Sequence, residues 1–181
     1  MNIQKFTQKS VEAINDCEKL AYEYGNQEIE QEHLMVALMQ QEDGLIPKLI
    51  EKMEIQKQHF ADNARRKLEA RVKVSGGQVY VGQNLNKVLI HAEDEAKQMG
   101  DEYVSVEHLF LALIKYPNQA MKELFKEFQD IKNSLDLSCV EDRLLYSVSN
   151  ESIPSVTSLV LKDKQLPKII HKRKEIEWKT E

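Results

Sequence analysis

The chain has 181 residues, of which 41% are hydrophobic and 30% charged, and its net charge is −5 at pH 7. This length suits one domain, or one domain plus an appendage. No run approaches the roughly 20 apolar residues of a membrane span, and no secretory signal opens the chain. We therefore expect a cytoplasmic protein without a membrane partner. Residues 1–135 hold 22 acidic and 17 basic side chains, which argues against nucleic acid as a partner because phosphate binding needs a basic surface.

The first helix is predicted to run from Thr7 to about Tyr24. Thr7 has a side-chain oxygen that suits an N-cap, and Gly25 lies where a left-handed C-cap favours glycine. One apolar face is formed by residues that recur every three or four positions, namely Val11, Ile14, Cys17, Ala21 and Tyr24. At this spacing Cys17 is predicted to be a buried thiol rather than half of a disulfide with Cys139.

Three more helices are predicted to follow in the first part of the chain. The segment from about Glu32 to Gln41 is apolar nearly all round, which indicates a buried helix. Gly44 ends it, and Pro47 suits the first turn of a third helix. A fourth, charge-rich helix covers about Gln56 to Val72, and its inner edge is predicted to be Phe60, Ala64 and Leu68. Residues 73–81, which include two glycines, are predicted to be a linker.

The sequence repeats itself at an offset of 75 residues. Glu32-His33-Leu34 returns as Glu107-His108-Leu109, and ten identities fall in 48 aligned positions without a gap. They occupy apolar positions and helix ends, which a duplicated structural unit would preserve. The predicted fold is therefore all-α: two copies of a four-helix unit, residues about 6–72 and 82–130, form an eight-helix bundle with pseudo-two-fold symmetry.

The second copy is predicted to contain the same elements in the same order. An opening helix covers Gln83–Met99, Ser105 caps the buried helix, and Pro117 starts the third helix. An eighth helix is predicted from Ile131, which gives a helical domain over residues 1–135.

Residues 136–181 have a different character. Serine-rich segments, two prolines, the apolar run Ser158–Leu161 and the basic patch His171–Lys174 occur there without a helical period. An irregular or disordered tail is therefore predicted. The basic patch lies beside Glu175 and Glu177, so it is too small to indicate nucleic-acid or membrane binding.

Glu30 and His33 have the spacing that supplies metal ligands in di-iron helical bundles. Such a site requires a second copy of the motif, whereas the repeat has Ser105 in place of the first carboxylate. A helical metalloprotein is therefore a remote alternative, and His33 and His108 are expected to pack or to form hydrogen bonds near helix starts. The sequence also lacks a G-x-S-x-G motif and a P-loop, so neither an enzyme nor a bound metal or cofactor is predicted.

Several of these motifs resemble the N-terminal domain of the Clp/Hsp100 AAA+ unfoldases over residues 1–135. They are Phe6-Thr7, the glycine that ends each opening helix, and the two Glu-His-Leu helices in tandem. The segments 76–80, 85–89 and 100–108 are most similar to the ClpB-type disaggregase branch. This resemblance implies a non-catalytic domain that is tethered to ATPase rings and receives unfolded or aggregated polypeptide in an apolar groove. A free-standing adaptor or regulator of a Clp ATPase is the alternative.

The resemblance also implies site residues. The peptide-engaging polar positions of the family fall on Thr7, Asp101 and Glu107, and the glutamates that accept phosphoarginine in the ClpC branch point to Glu32 and Glu107. Structural roles would also explain these residues: a carboxylate in the first turn of a helix contributes about 0.3–1 kcal/mol, Thr7 suits a cap, and Asp101 suits a turn.

Overall fold

The structure of the protein is a computed structural model that describes residues 3–74 and 76–128. A 3₁₀ turn over Ile3–Lys5 is followed in chain order by α1 (Gln8–Tyr24), β1 (Glu28–Ile29), α2 (Gln31–Gln40), α3 (Leu45–Lys52), α4 (Lys57–Glu69), β2 (Tyr80–Val81), α5 (Gln83–Met99), α6 (Val106–Lys115) and α7 (Gln119–Glu127). The predicted all-α class is confirmed. The eighth helix predicted from Ile131 and the tail predicted over 136–181 lie outside the described residues.

The two opening helices, α1 and α5, end in the same way. Gly25 and Gly100 adopt left-handed φ values of 69° and 79°, which cost glycine little because it has no Cβ. The next backbone N–H then donates into the last turn, from Asn26 to the carbonyl of Ala21 and from Asp101 to that of Ala96, each at 2.8 Å. Both predicted helix ends are confirmed.

The first turn of α7 differs from the prediction. Pro117 was expected to start this helix, but Asn118 is its N-cap, and the Asn118 side chain accepts a hydrogen bond from the backbone N–H of Met121 at 2.9 Å. An asparagine side chain satisfies a free N–H at a helix start, which proline cannot do. Pro117 therefore precedes the cap.

Helix α2 lies at the centre of the core. All residues from Gln31 to Met39 are buried, because α2 packs against α1, α3, α4, α5, α6 and α7. The prediction of a helix buried all round is confirmed, and Leu34 in α2 and its repeat partner Leu109 in α6 are both 0% exposed. In the ranges 3–74 and 76–128, no helix is both long and apolar enough to cross a membrane.

The buried face of α1 is rotated from the predicted one. Its fully buried residues are Ser10, Ala13, Cys17, Leu20 and Ala21. Val11 and Ile14, which were predicted to lie on the core face, are only half-buried. Small side chains such as Ala13 let α1 approach α2 closely, and Val11 and Ile14 lie at the edge of the buried face. Cys17 is buried as predicted, and burial raises the pKa of its thiol.

Strand pairing shows the pseudo-two-fold symmetry most directly. Phe6 forms a parallel bridge with Val104, and Ile29 pairs in parallel with Val81 in the β1–β2 sheet. At the offset of 75 residues, Phe6 corresponds to Val81 and Ile29 corresponds to Val104. The two pairs are therefore the same contact with the copies exchanged. The segment before each opening helix therefore pairs with the loop before the other copy's buried helix. These strands were not predicted because one or two residues are too short for an alternating pattern.

Gln31 joins the two copies inside the core. Its Nε2 donates to the carbonyl oxygens of Asn84 at 3.3 Å and Tyr116 at 2.9 Å, and its Oε1 accepts from the backbone N–H of Asn118 at 2.7 Å. A buried amide that is satisfied on both sides stabilises one arrangement of the surrounding elements. The sequence offered no sign of this role, since the repeat partner of Gln31 is Val106.

Candidate functional site

Three predicted site residues lie around the Phe6–Val104 bridge. The backbone N–H of Thr7 donates to the carbonyl of Val104 at 3.0 Å, which holds the start of α1 against the loop between α5 and α6. Asp101 begins that loop, and Glu107 is half-buried in the first turn of α6. Thr7, residues 101–105 and Glu107 are termed the Thr7 surface below.

Thr7 also caps α1, as predicted. Its Oγ1 accepts from the backbone N–H of Ser10 at 3.3 Å and lies 3.0 Å from the Ser10 hydroxyl. Thr7 is half-buried rather than buried. The cap fixes the Thr7 side chain in one orientation and leaves part of it accessible.

Asp101 is held by a buried histidine. Its Oδ2 lies 3.2 Å from Nε2 of His108, and Nδ1 of His108 accepts the backbone N–H of Ser105 at 3.0 Å. Because Nδ1 accepts, the proton of the neutral ring is on Nε2 and faces Asp101. Burial lowers the pKa of His108, although the carboxylates of Glu107 and Asp101 oppose that shift, so the ring is neutral near pH 7.

The first copy repeats this arrangement with a neutral partner. Nε2 of His33 lies 3.1 Å from Oδ1 of Asn26, and Nδ1 of His33 accepts the backbone N–H of Glu30 at 3.0 Å. Both nitrogens of His33 are therefore used inside the fold, as predicted for a hydrogen-bonding histidine. Within the described ranges, no three His, Cys, Asp or Glu side chains are grouped as a metal site would require.

The protein is expected to lose stability on acidification through His33. Burial, and secondarily the charge of Arg71, lowers the pKa of His33 from 6.5 to about 4. The unfolded chain therefore takes up this proton first, and the stability present above pH 6.5 is lost as the pH falls toward 4, by up to about 1.4 kcal/mol per pH unit. Urea unfolding between pH 4 and 8 should show a shallower pH dependence for His33→Gln than for the wild type. Equal slopes would contradict this assignment.

Glu32 and Glu107 are repeat partners in different surroundings. The side chain of Glu32 is only 5% exposed. Its Oε1 accepts from Nη1 of Arg71 at 3.0 Å and its Oε2 from Nδ2 of Asn118 at 3.1 Å. A ligand-contacting role for Glu32 stays a prediction, and it would require the carboxylate to release one of these partners.

A pocket of about 520 Å³ lies on the first-copy side, between the short sheet and the start of α5. It is lined by Glu28, Glu30, Arg71, Tyr80, Val81 and the first turn of α5, and it is termed the first-copy pocket. Oε1 of Glu30 accepts from the backbone N–H and Nδ2 of Asn84 at 3.2 and 3.3 Å. Burial raises the pKa of Glu30, and the hydrogen bonds from Asn84 and Gln31 oppose that shift.

Sequence reasoning missed Arg71, which closes one wall of the first-copy pocket. Nη2 of Arg71 lies 3.2 Å from Oε2 of Glu28, while its Nη1 contacts Glu32. The fourth helix was predicted to continue to about Val72, but α4 ends at Glu69, so Arg71 follows the helix. A single basic residue near a helix end carries no signal of partners that lie 39 and 43 residues earlier in the chain.

Sequence comparisons agree with these features. A model of the Clp repeat N-terminal domain matches residues 5–128. The chaperone protein ClpB of Nitratidesulfovibrio vulgaris is 42% identical over 134 residues, which cover 71% of this chain and 16% of that protein. ClpB of Clostridium tetani is 38% identical over 133 residues, or 71% of this chain and 15% of that protein. The chain thus spans about one sixth of the length of these relatives.

Solved structures share the fold. The Hsp104 N-terminal domain from Candida albicans superposes with a TM-score of 0.67 at 20% identity, covering 85% of this chain and 98% of that one. A ClpV N-domain solved in complex with a VipB peptide gives a TM-score of 0.57 at 16% identity, covering 76% and 89%. The family model matches most of the chain, the two copies pair their strands reciprocally, and each copy has a Glu-His-Leu helix. This chain therefore belongs to the Clp N-terminal domain family.

Proposed function

We propose that this chain binds unfolded or aggregated polypeptide segments at the Thr7 surface, as the client-receiving domain of a ClpB-type chaperone. One observation carries the proposal: an apolar strip leads away from the polar residues of that surface. Thr7, Val11 and Ile14 are spaced at i, i+4 and i+7, so they share one face of α1. All three are half-buried, which leaves apolar area for a client side chain.

The second copy does not repeat this strip. The residues that correspond to Thr7, Val11 and Ile14 in α5 are Gly82, Asn86 and Leu89. Leu89 is buried and Asn86 is polar and exposed. Apolar binding is therefore expected at the Thr7 surface rather than at its counterpart.

The chemistry of the Thr7 surface suits an extended chain. A client offers apolar side chains for the strip and backbone N–H groups or basic side chains for Asp101 and Glu107. Affinity is expected to be weak, because a flexible segment loses conformational entropy when it binds. Several copies on one ATPase ring would compensate through avidity. The ClpV N-domain complex with a VipB peptide supports peptide binding by this fold.

Binding of a fluorescein-labelled, permanently unfolded protein, reduced and carboxymethylated α-lactalbumin, tests the proposal by fluorescence anisotropy. Val11→Thr keeps the side-chain shape but makes the strip polar, and Glu107→Gln removes the charge of the rim. Each is expected to raise Kd roughly 5- to 10-fold, as loss of about 1 kcal/mol would. Glu69→Gln is the matched control, since it removes an exposed charge from α4, outside the Thr7 surface. Equal Kd values for all four proteins would contradict the proposal.

A further inference from the structure

The short sheet has an open edge at Val81. The backbone N–H groups of Tyr80 and Gly82 donate to the carbonyls of Gln27 at 2.9 Å and Ile29 at 2.7 Å, respectively. Successive N–H groups of a strand point in opposite directions, so the N–H and C=O groups of Val81 face away from β1. Tyr80 and Val81 are 53% and 48% exposed. Such an edge can accept a further strand.

The surroundings of this edge carry an excess of negative charge. The guanidinium of Arg71 pairs directly with Glu28 and Glu32, and Glu30 lines the same pocket. Glu30 accepts hydrogen bonds from neutral amide groups of Asn84 and Gln31. One cation therefore faces three carboxylates, and the edge beside them favours a strand with basic side chains.

The chain contains a segment with matching chemistry outside the described residues. Residues 162–174 hold six Lys or Arg and one Asp, a net charge of +5, and include Ile169-Ile170. Isoleucine favours extended backbone. Because side chains alternate along a strand, five of the six basic residues would share one face of an extended segment, namely Lys162, Lys164, Lys168, Lys172 and Lys174. The described residues hold 21 acidic and 16 basic side chains, so the net charge of this segment is opposite to theirs.

The segment can reach the edge within one molecule. The ring centroid of Phe128, directly after α7, lies 5.0 Å from that of Phe60 in the first turn of α4. Arg71 follows the other end of α4, whose 13 residues span about 20 Å. Residues 129–161 form a connection of 33 residues, and fully extended it spans roughly 100 Å.

We propose that residues 162–174 add a strand to the Val81 edge and place their Lys and Arg side chains over Glu28, whose side chain is 40% exposed. The chain thereby occupies its own first-copy pocket and excludes other cationic segments from it. The Thr7 surface lies at the other strand pair, Phe6–Val104, and stays open. The docking does not depend on client binding, so either proposal can fail alone.

Amide hydrogen exchange of the full chain, followed by NMR, tests this docking. Lys172→Glu/Arg173→Glu is expected to speed exchange at the Val81 amide by roughly tenfold or more and to shift the amide signals of residues 80–84. The matched control is Lys48→Glu/Lys122→Glu, which changes two exposed lysines of α3 and α7 and should leave Val81 unchanged. Unchanged exchange in the tail variant, or equal effects of both variants, would overturn the proposal.

Two further measurements keep the test decisive. Glu28→Lys should release the segment in the same way, and combining it with Lys172→Glu/Arg173→Glu should add nothing, because the two changes break one contact. Exchange at Val81 should stay constant over a roughly 25-fold dilution. Exchange that speeds up on dilution would mean docking between two molecules and would overturn the intramolecular proposal.

Discussion

Leu34→Ala and Leu109→Ala are each expected to lower the free energy of unfolding by about 3–4 kcal/mol. These residues are repeat partners in α2 and α6, and both are 0% exposed. Truncation removes buried methyl groups and leaves a cavity that the packed helices around α2 cannot close. Urea unfolding followed by circular dichroism measures the loss. Both variants should unfold in a single transition, since one core spans the two copies.

Ile90→Ala provides the control for these substitutions. It also shortens an aliphatic side chain on a helix, but Ile90 is 52% exposed, so its effect should stay within about 0.5 kcal/mol. Two separate transitions in Leu109→Ala, with the first copy still folded after the second has melted, would show that the copies are independent domains.

Arg71→Met is expected to destabilise the fold by about 3 kcal/mol. The substitution keeps much of the aliphatic stem but removes the guanidinium from Glu32, whose side chain is 5% exposed. Removing only the cation leaves a buried, uncompensated carboxylate, which lowers the stability of the fold. Replacing both partners of the ion pair by neutral residues lowers it much less. Glu32→Gln/Arg71→Met should therefore be more stable than Arg71→Met alone.

Arg65→Met is the matched control for the Arg71 substitution. Arg65 lies 3.6 Å from Asp62, and both side chains are about 40% exposed, so the loss should stay below about 1 kcal/mol. Urea unfolding at pH 7 compares the four proteins. A loss in Arg71→Met no larger than in Arg65→Met would mean that Glu32 is effectively solvated.

Local signals in the sequence predicted the helices well. The caps at Thr7, Gly25 and Gly100 depend on single residue types, and the burial of α2 follows from apolar residues on all its faces. The offset of 75 residues also predicted two related halves. The rotated face of α1 was missed because apolar spacing identifies Val11 and Ala13 equally, and only the packing partner decides which is buried.

Long-range contacts were beyond this reasoning. Glu32 meets Arg71 and Asn118, which are 39 and 86 residues further along the chain, and Gln31 bridges residues of the other copy. The exchanged strand pairs involve one or two residues on each side. Thr7, Asp101 and Glu107 were predicted through family resemblance rather than spacing, and the Phe6–Val104 bridge supplies the physical reason why they adjoin.

The most direct measurement is an NMR titration of the full chain with reduced, carboxymethylated α-lactalbumin. If the Thr7 surface receives clients, the largest shift changes will fall at Thr7, Val11, Asp101 and Glu107. Smaller ones are expected at the repeat-related positions Gly82, Asn86, Asn26 and Glu32. Changes confined to residues 136–181, or equal at the two repeat-related surfaces, would contradict it.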